Sequence, residues 1–170
     1  SGFDTLTGGN NDDVIDGGAN DDTMIGGSGN DRYVFIGDFG NDVAQERTVG
    51  DTTAPTNDTA DVFDLSAITS AITFNLGAGN KNTITSGSNQ LIDNGFEIEI
   101  FLGGSSTDTY NVMKTGTNPV ILRGNAGNEA YNVTFGAISG SVTIDDMANT
   151  TDNDFLNVVS ADTDATKLTV

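Results

Sequence analysis

The chain contains no cysteine, no histidine and no tryptophan, and only two prolines among its 170 residues. Without Cys and His there is no zinc or haem centre of the usual kind, no Ser-His-Asp triad and no thiol nucleophile. Basic residues are also scarce: six Lys and Arg stand against 25 Asp and Glu, for a formal net charge of −19. Nucleic acid needs Lys and Arg for its phosphates, and an anionic membrane surface needs them for its headgroups, so neither is an expected partner. No apolar run approaches the roughly 20 residues of a membrane-spanning helix. Hydrophobic residues make up 35% of the chain, a low share for a globular domain. What is abundant is glycine, with 22 residues, alongside Asp, Asn and Thr. Such acidity suits either a disordered, solvated segment or a fold whose carboxylates await a cation.

An internal repeat separates these two readings. Residues 8–16 read GGNNDDVID, 17–25 read GGANDDTMI and 26–34 read GGSGNDRYV. The period is nine. Gly-Gly opens each unit at Gly8, Gly17 and Gly26, an Asp stands sixth at Asp13, Asp22 and Asp31, and a large apolar residue stands eighth at Ile15, Met24 and Tyr33. Gly2, Asp4 and Leu6 fill positions four, six and eight of an earlier unit. Paired glycines permit tight turning, and Asx residues at positions five and six tolerate left-handed geometry while offering hard oxygen ligands. The last three residues of each unit predict a very short strand with position eight inward. A turn and a strand every nine residues make half a coil, and two units close one. Carboxylates 18 apart then stack on one edge, Asp4 over Asp22 and Asp13 over Asp31, where they repel unless a cation such as Ca²⁺ lies between the turns. A flexible Gly/Asn/Asp-rich linker is the competing reading, but it has no need of a phase-locked apolar residue at position eight.

Units in this phase resemble the RTX (hemolysin-type) calcium-binding nonapeptide G-G-x-G-x-D-x-U-x, which forms a parallel β-roll. Position four carries Asn11 and Asn20 in place of Gly, then Gly29. The resemblance implies Ca²⁺ as cofactor, Asp4, Asp13, Asp22, Asp31 and Asp42 as carboxylate ligands, and the carbonyls of Gly8, Gly17 and Gly26 as co-ligands. Asp12, Asp21 and Asn30, at position five, are either ligands or solvated turn residues.

Farther along, residues 37–44 (GDFGNDVA) keep Gly at positions one and four and Asp at six, after a two-residue insertion. Residues 46–61 are polar, contain Pro55 and predict an excursion loop. A longer repeat follows. Apolar pairs at Ile72/Phe74, Ile98/Ile100, Val120/Leu122, Val142/Ile144 and Leu168/Val170 predict one strand column. Ile84, Tyr110/Val112, Tyr131/Val133 and Leu156/Val158 predict a second. Degraded nonapeptides lie between them, of which GGSSTDTYN (103–111) is clearest and makes Asp108 an isolated candidate ligand. Glu129 and Asp154 are read as turn or surface residues. The segments DVFDLS, ITFNLGAGN and IEIFLGGSSTDTYNV are similar to degenerate RTX-like stretches of very large repetitive bacterial surface and secreted proteins.

The expected fold is therefore all-β: a parallel β-roll over residues 1–45, the excursion loop over 46–61, and an irregular parallel β-helix of larger coils over 62–170. An antiparallel sandwich also has short strands and frequent turns, but the recurring strand–turn–strand order favours a solenoid. No constellation suited to sugar chemistry emerges from the scattered Arg32, Arg47, Lys81, Lys114, Arg123 and Lys167, so no catalysis is expected. Tyr33, Tyr110 and Tyr131 could stack on a polysaccharide, but all three occupy position eight, the inward one. The Thr pairs 83/85, 107/109 and 115/117 lack the regular spacing of a single ladder. The function expected is that of a Ca²⁺-stiffened structural module of a larger extracellular or cell-surface bacterial protein, such as an adhesin, S-layer or fibre, exported by type I secretion. The alternative is a polysaccharide-binding accessory to a secreted enzyme. Entry at Ser1 in mid-repeat and an end in phase with a strand column predict stacking on further repeats of the same protein or on neighbouring subunits.

Overall fold

The computed structural model describes residues 2–47, 59–95, 97–113, 115–135, 138–146, 152–160 and 168–169. Most of residues 46–61 thus lie outside the described residues. The strands of the N-terminal region are β1 (Thr5–Asn10), β2 (Val14–Ile15), β3 (Thr23–Ser28), β4 (Arg32–Val34), β5 (Asn41–Gln45) and β6 (Val62–Asp64). Next come β7 (Thr73–Leu76), β8 (Asn82–Ser86) and β9 (Asn89–Asp93). The larger coils hold β10 (Ile100–Leu102), β11 (Thr109–Val112), β12 (Val120–Arg123), β13 (Ala130–Phe135), β14 (Val142–Ile144), β15 (Phe155–Ser160) and β16 (Leu168–Thr169).

These strands form two facing sheets. One runs β1-β3-β5-β9-β8-β7-β11-β13-β15, the other β2-β4-β6-β10-β12-β14-β16. Apart from β7, β8 and β9, which all lie in the nine-stranded sheet, successive strands alternate between sheets, so a coil contributes one strand to each. All pairings are parallel except β7–β8 and β8–β9. The expected all-β parallel roll is present, and β1–β3 and β2–β4 pair in the register of an 18-residue coil: Leu6 opposite Met24, and Ile15 opposite Tyr33. Position eight points inward as its apolar character requires. Ile15, Met24 and Tyr33 are buried, whereas Val14 is exposed.

The interior is a pair of columns, one per sheet. On the seven-stranded sheet Tyr33, Phe63 and Phe101 are in register and meet edge to face, with ring centroids 5.5 and 5.7 Å apart. On the other, Phe74, Tyr110 and Tyr131 stack nearly parallel at 4.3 and 4.9 Å. All three tyrosines are buried, so none offers a stacking surface to an external sugar. Outside that same sheet Asn75, Asn111, Asn132 and Asn157 share a row. Each amide Nδ2 donates to the Oδ1 of the Asn one coil earlier, at 2.9, 2.9 and 3.4 Å.

The structure corrects one strand column. Ile72/Phe74 was expected in line with Ile98/Ile100, but β7 belongs to the nine-stranded sheet, where Phe74 lies opposite Tyr110. The partner of β10 on its own sheet is β6, with Phe63 opposite Phe101. Between β6 and β10 the chain makes the antiparallel meander β7–β8–β9, which joins β5 to β11 and keeps the sheet continuous. Its tight end is Gly87-Ser88, with Gly87 at φ 61°, a two-residue hairpin connection. Alternation of β-branched and aromatic residues fits either sheet equally well, so spacing alone does not assign the column.

Candidate metal centre

The turns between sheets run along two edges, and each edge carries a column of acidic residues that starts at the sixth position of the repeat, with Asp61 and Glu99 continuing one of them. Along one edge Asp22 Oδ1 accepts the Asp4 N–H at 2.7 Å, and Asp42 Oδ1 accepts the Asp22 N–H at 2.8 Å. Along the other, Asp31 Oδ1 accepts the Asp13 N–H at 2.8 Å, Asp61 Oδ1 that of Asp31 at 2.7 Å, and Glu99 Oε2 that of Asp61 at 3.0 Å. One oxygen of each carboxylate thus pins the preceding coil. Asp12 and Asp21, at position five, pin the following coil from the exposed side, accepting the N–H groups of Asn30 and Asn41 at 2.8 and 2.9 Å.

The second oxygen turns under the glycine that opens the repeat. A Cβ on Gly8 would lie 2.7 Å from Asp13 Oδ2 and 2.7 Å from the Gly26 carbonyl oxygen, and one on Gly17 would lie 2.7 Å from Asp22 Oδ2. The first glycine is therefore required for space and the second for conformation: Gly9, Gly18 and Gly27 have φ of 113°, 86° and 112°. Asn11 and Asn20 reach φ 76° and 83°, so Asn at position four keeps the left-handed turn. Asp13 Oδ2 and Asp22 Oδ2 are both buried with no hydrogen-bond partner. Buried carboxylate oxygens without a donor, beside a backbone carbonyl, are a set of hard oxygen ligands that fits Ca²⁺.

Of the sequence-predicted residues, Asp22, Asp31 and Asp42 are buried, Asp13 is half-buried and Asp4 is exposed. Burial, reinforced by the neighbouring carboxylates of Asp22, Asp21 and Asp16, pushes Asp42 up to about 6. Asp108 sits alone: Oδ1 accepts the Ile72 N–H at 2.8 Å and Oδ2 the Gly104 N–H at 2.7 Å, so this carboxylate clamps two backbone amides. Burial raises it to about 6.

Sequence reasoning missed the two ends of the excursion segment. Glu46 and Asp61 are buried, and with Asp31 they bring carboxylate oxygens within 4.8 Å of one another. The Tyr33 hydroxyl accepts the Gly26 N–H at 2.7 Å and faces Glu46 Oε1 and the Gln45 carbonyl, each at 2.7 Å; burial drives its phenol well up. Neither Glu46 nor Asp61 belongs to a nonapeptide, and only the apolar run after Asp61 hints that it heads a strand. Glu129 is also not the turn or surface residue expected. It is 1% exposed, and Glu129, Asp146 and Asp154 form a second carboxylate group within 4.8 Å. Asp154 is exposed, but its Oδ1 accepts the Glu129 N–H at 2.9 Å. Burial and the carboxylates of Asp146, Asp154 and Asp108 push Glu129 up to about 7.

Comparison with known proteins agrees on the N-terminal coils. Residues 1–33 match the family model of the RTX calcium-binding nonapeptide repeat, in four copies. These coils are RTX repeats, and RTX nonapeptide repeats are calcium-binding. No curated protein and no solved structure matches the chain. Among the described residues, no helix is long and apolar enough to cross a membrane.

Proposed function

We propose that the chain is a calcium-stiffened structural segment of a larger bacterial protein, secreted or held at the cell surface as part of an adhesin, S-layer or fibre, and that it performs no catalysis. The observation that carries the reading is the buried, donorless oxygen of Asp13 and of Asp22; the other oxygen of Asp22 already ties two coils together. A metal there joins successive coils and removes the repulsion along the column, so folding and cation binding become one event. Extracellular Ca²⁺ is high enough for weak modules of this type, and RTX repeats are typical of secreted bacterial proteins. Stacking on further repeats, or on a neighbouring subunit, is supported by large apolar residues exposed on the outer coils: Phe3 and Val14 at one end, Phe155, Val158 and Val159 at the other.

Circular dichroism of the whole chain in Ca²⁺ and in chelator tests the proposal, with limited proteolysis to locate the change. Ca²⁺ removal is expected to cost β-signal and to open residues 1–45 to cleavage, and Asp22→Asn to weaken Ca²⁺ binding at least tenfold. Identical spectra and cleavage patterns with and without Ca²⁺ would overturn it.

A further inference from the structure

We propose that Glu129, Asp146 and Asp154 bind a hard divalent cation, Ca²⁺ foremost, at a site in the larger coils that is separate from the nonapeptide repeats. It lies beyond the residues that match the repeat family, and two of its three carboxylates have no counterpart in the nonapeptide: a Glu stands at position six, and Asp146 enters from the end of β14.

Acidic residues often cluster without a ligand, so the argument rests on the state of Glu129. Asp22, Asp31, Asp42 and Asp61 each give an oxygen to a backbone amide, yet neither Glu129 oxygen has a hydrogen-bond partner although the residue is 1% exposed. Every charge that acts appreciably on it is another carboxylate, Asp146, Asp154 or Asp108. A buried acid with no donor and only like charges nearby is unfavourable until a cation arrives. The space around it is kept open by glycine: a Cβ on Gly124 would lie 2.8 Å from Oε2, and one on Gly127 2.6 Å from Oε1.

The preceding coil provides the control. Asp108 occupies the same place, but its two oxygens are taken by the amides of Ile72 and Gly104, and the Tyr110 hydroxyl donates to the Arg123 carbonyl at 2.9 Å. One coil later, the Tyr131 hydroxyl donates instead to Asp146 Oδ2 at 3.1 Å and holds that carboxylate over the turn. Tyr33 and Glu46 stand in the same relation beside Asp31 and Asp61, so the four-part arrangement occurs twice. Three carboxylates and no nitrogen or sulfur suit Ca²⁺ rather than zinc or copper. Asp146 is half-buried and Asp154 exposed, which leaves an open side through which the ion enters and water completes its shell.

Because the chain has no Trp, tyrosine is the main sensitiser of bound Tb³⁺, a luminescent stand-in for Ca²⁺. The test is Tb³⁺ titration with tyrosine excitation, together with Ca²⁺ calorimetry, on the full chain. Asp146→Asn, at a half-buried position where folding is not at stake, is expected to remove one Ca²⁺ equivalent or weaken it by about 10–100-fold. Glu129→Gln is expected to lose the same equivalent, and both to lose the Tyr131-sensitised emission that Tyr131→Phe also removes. Asp22→Asn is expected to leave this ion in place, so failure here and failure of the nonapeptide reading are distinguishable. Unchanged stoichiometry, affinity and emission in Asp146→Asn and Glu129→Gln would overturn the proposal.

Discussion

The nonapeptide coils and the larger coils solve one problem by different means. In the first, a strand such as β2 or β4 sends one side chain inward, Ile15 or Tyr33, and β1 buries none completely. Both edges are lined with carboxylates. So thin a core removes little apolar surface from water, and the coils rely on what binds their edges. In the second, each of β11, β12 and β13 sends two residues inward: Tyr110 and Val112, Val120 and Leu122, Tyr131 and Val133. These strands stack aromatic on aromatic, carry an Asn ladder outside, and satisfy Asp108 with backbone amides. Stability therefore passes from the edges to the interior along one continuous pair of sheets, and the cation requirement should change with it.

Three measurements would break or sharpen this contrast. The largest effect is expected from Phe101→Ala, which removes a ring packed against Phe63 and Phe74. It should cost about 3–5 kcal/mol in urea unfolding followed by tyrosine fluorescence, equally in Ca²⁺ and in chelator. A cost that disappears in chelator would mean that the larger coils have no stability of their own.

The second effect is on pH dependence. Asp42 and Asp108 are both raised to about 6 by burial, above the ordinary Asp value of about 3.9. For an acid raised on folding, the native state holds the proton longer. The associated stability is fully present below the unfolded value and is lost as pH rises through about 6. In chelator the melting temperature should therefore fall as pH rises from about 4 to about 7, while in Ca²⁺, which needs the ionised carboxylate, that of the nonapeptide coils should rise. A flat profile in chelator would show that these carboxylates are not desolvated. The smallest effect is expected from Asn132→Ala, which removes two side-chain amide bonds from a half-buried row and should cost about 1 kcal/mol regardless of Ca²⁺. A larger loss in chelator alone would tie the ladder to the metal.

Legibility in the sequence followed the same gradient. In residues 2–45 the period is local, so the turn glycines, the inward position eight and the Asp columns follow from a count of nine, and Asn11 and Asn20 prove to be left-handed as their type allows. Past Gln45 the coils differ in length. Asp61 lies 30 residues from the Asp31 amide it accepts, and Glu99 lies 38 from that of Asp61. No fixed spacing selects them. Glu129 was hidden by a different effect: its extra methylene carries the carboxylate off the ladder, and that shows only when neighbouring coils are in place. The meander had a visible signal, Gly87-Ser88 between two alternating runs, but the larger repeat masked it because Phe74 fits either sheet.

Except at the exposed Asp12 and Asp21, which accept from the following coil, the bonds from a backbone amide to a carboxylate of another coil point one way. In each, a carboxylate accepts an amide from the coil nearer the N-terminus, from Asp22 on Asp4 to Asp154 on Glu129. The stack thus has a grain. Trimming it from the N-terminal end relieves these acceptors of their donors, and those oxygens can turn to water or to a metal. Trimming it from the C-terminal end strips the cap from an amide that stays folded beneath. Along the acidic columns each coil is a lid for the amides of the one before it.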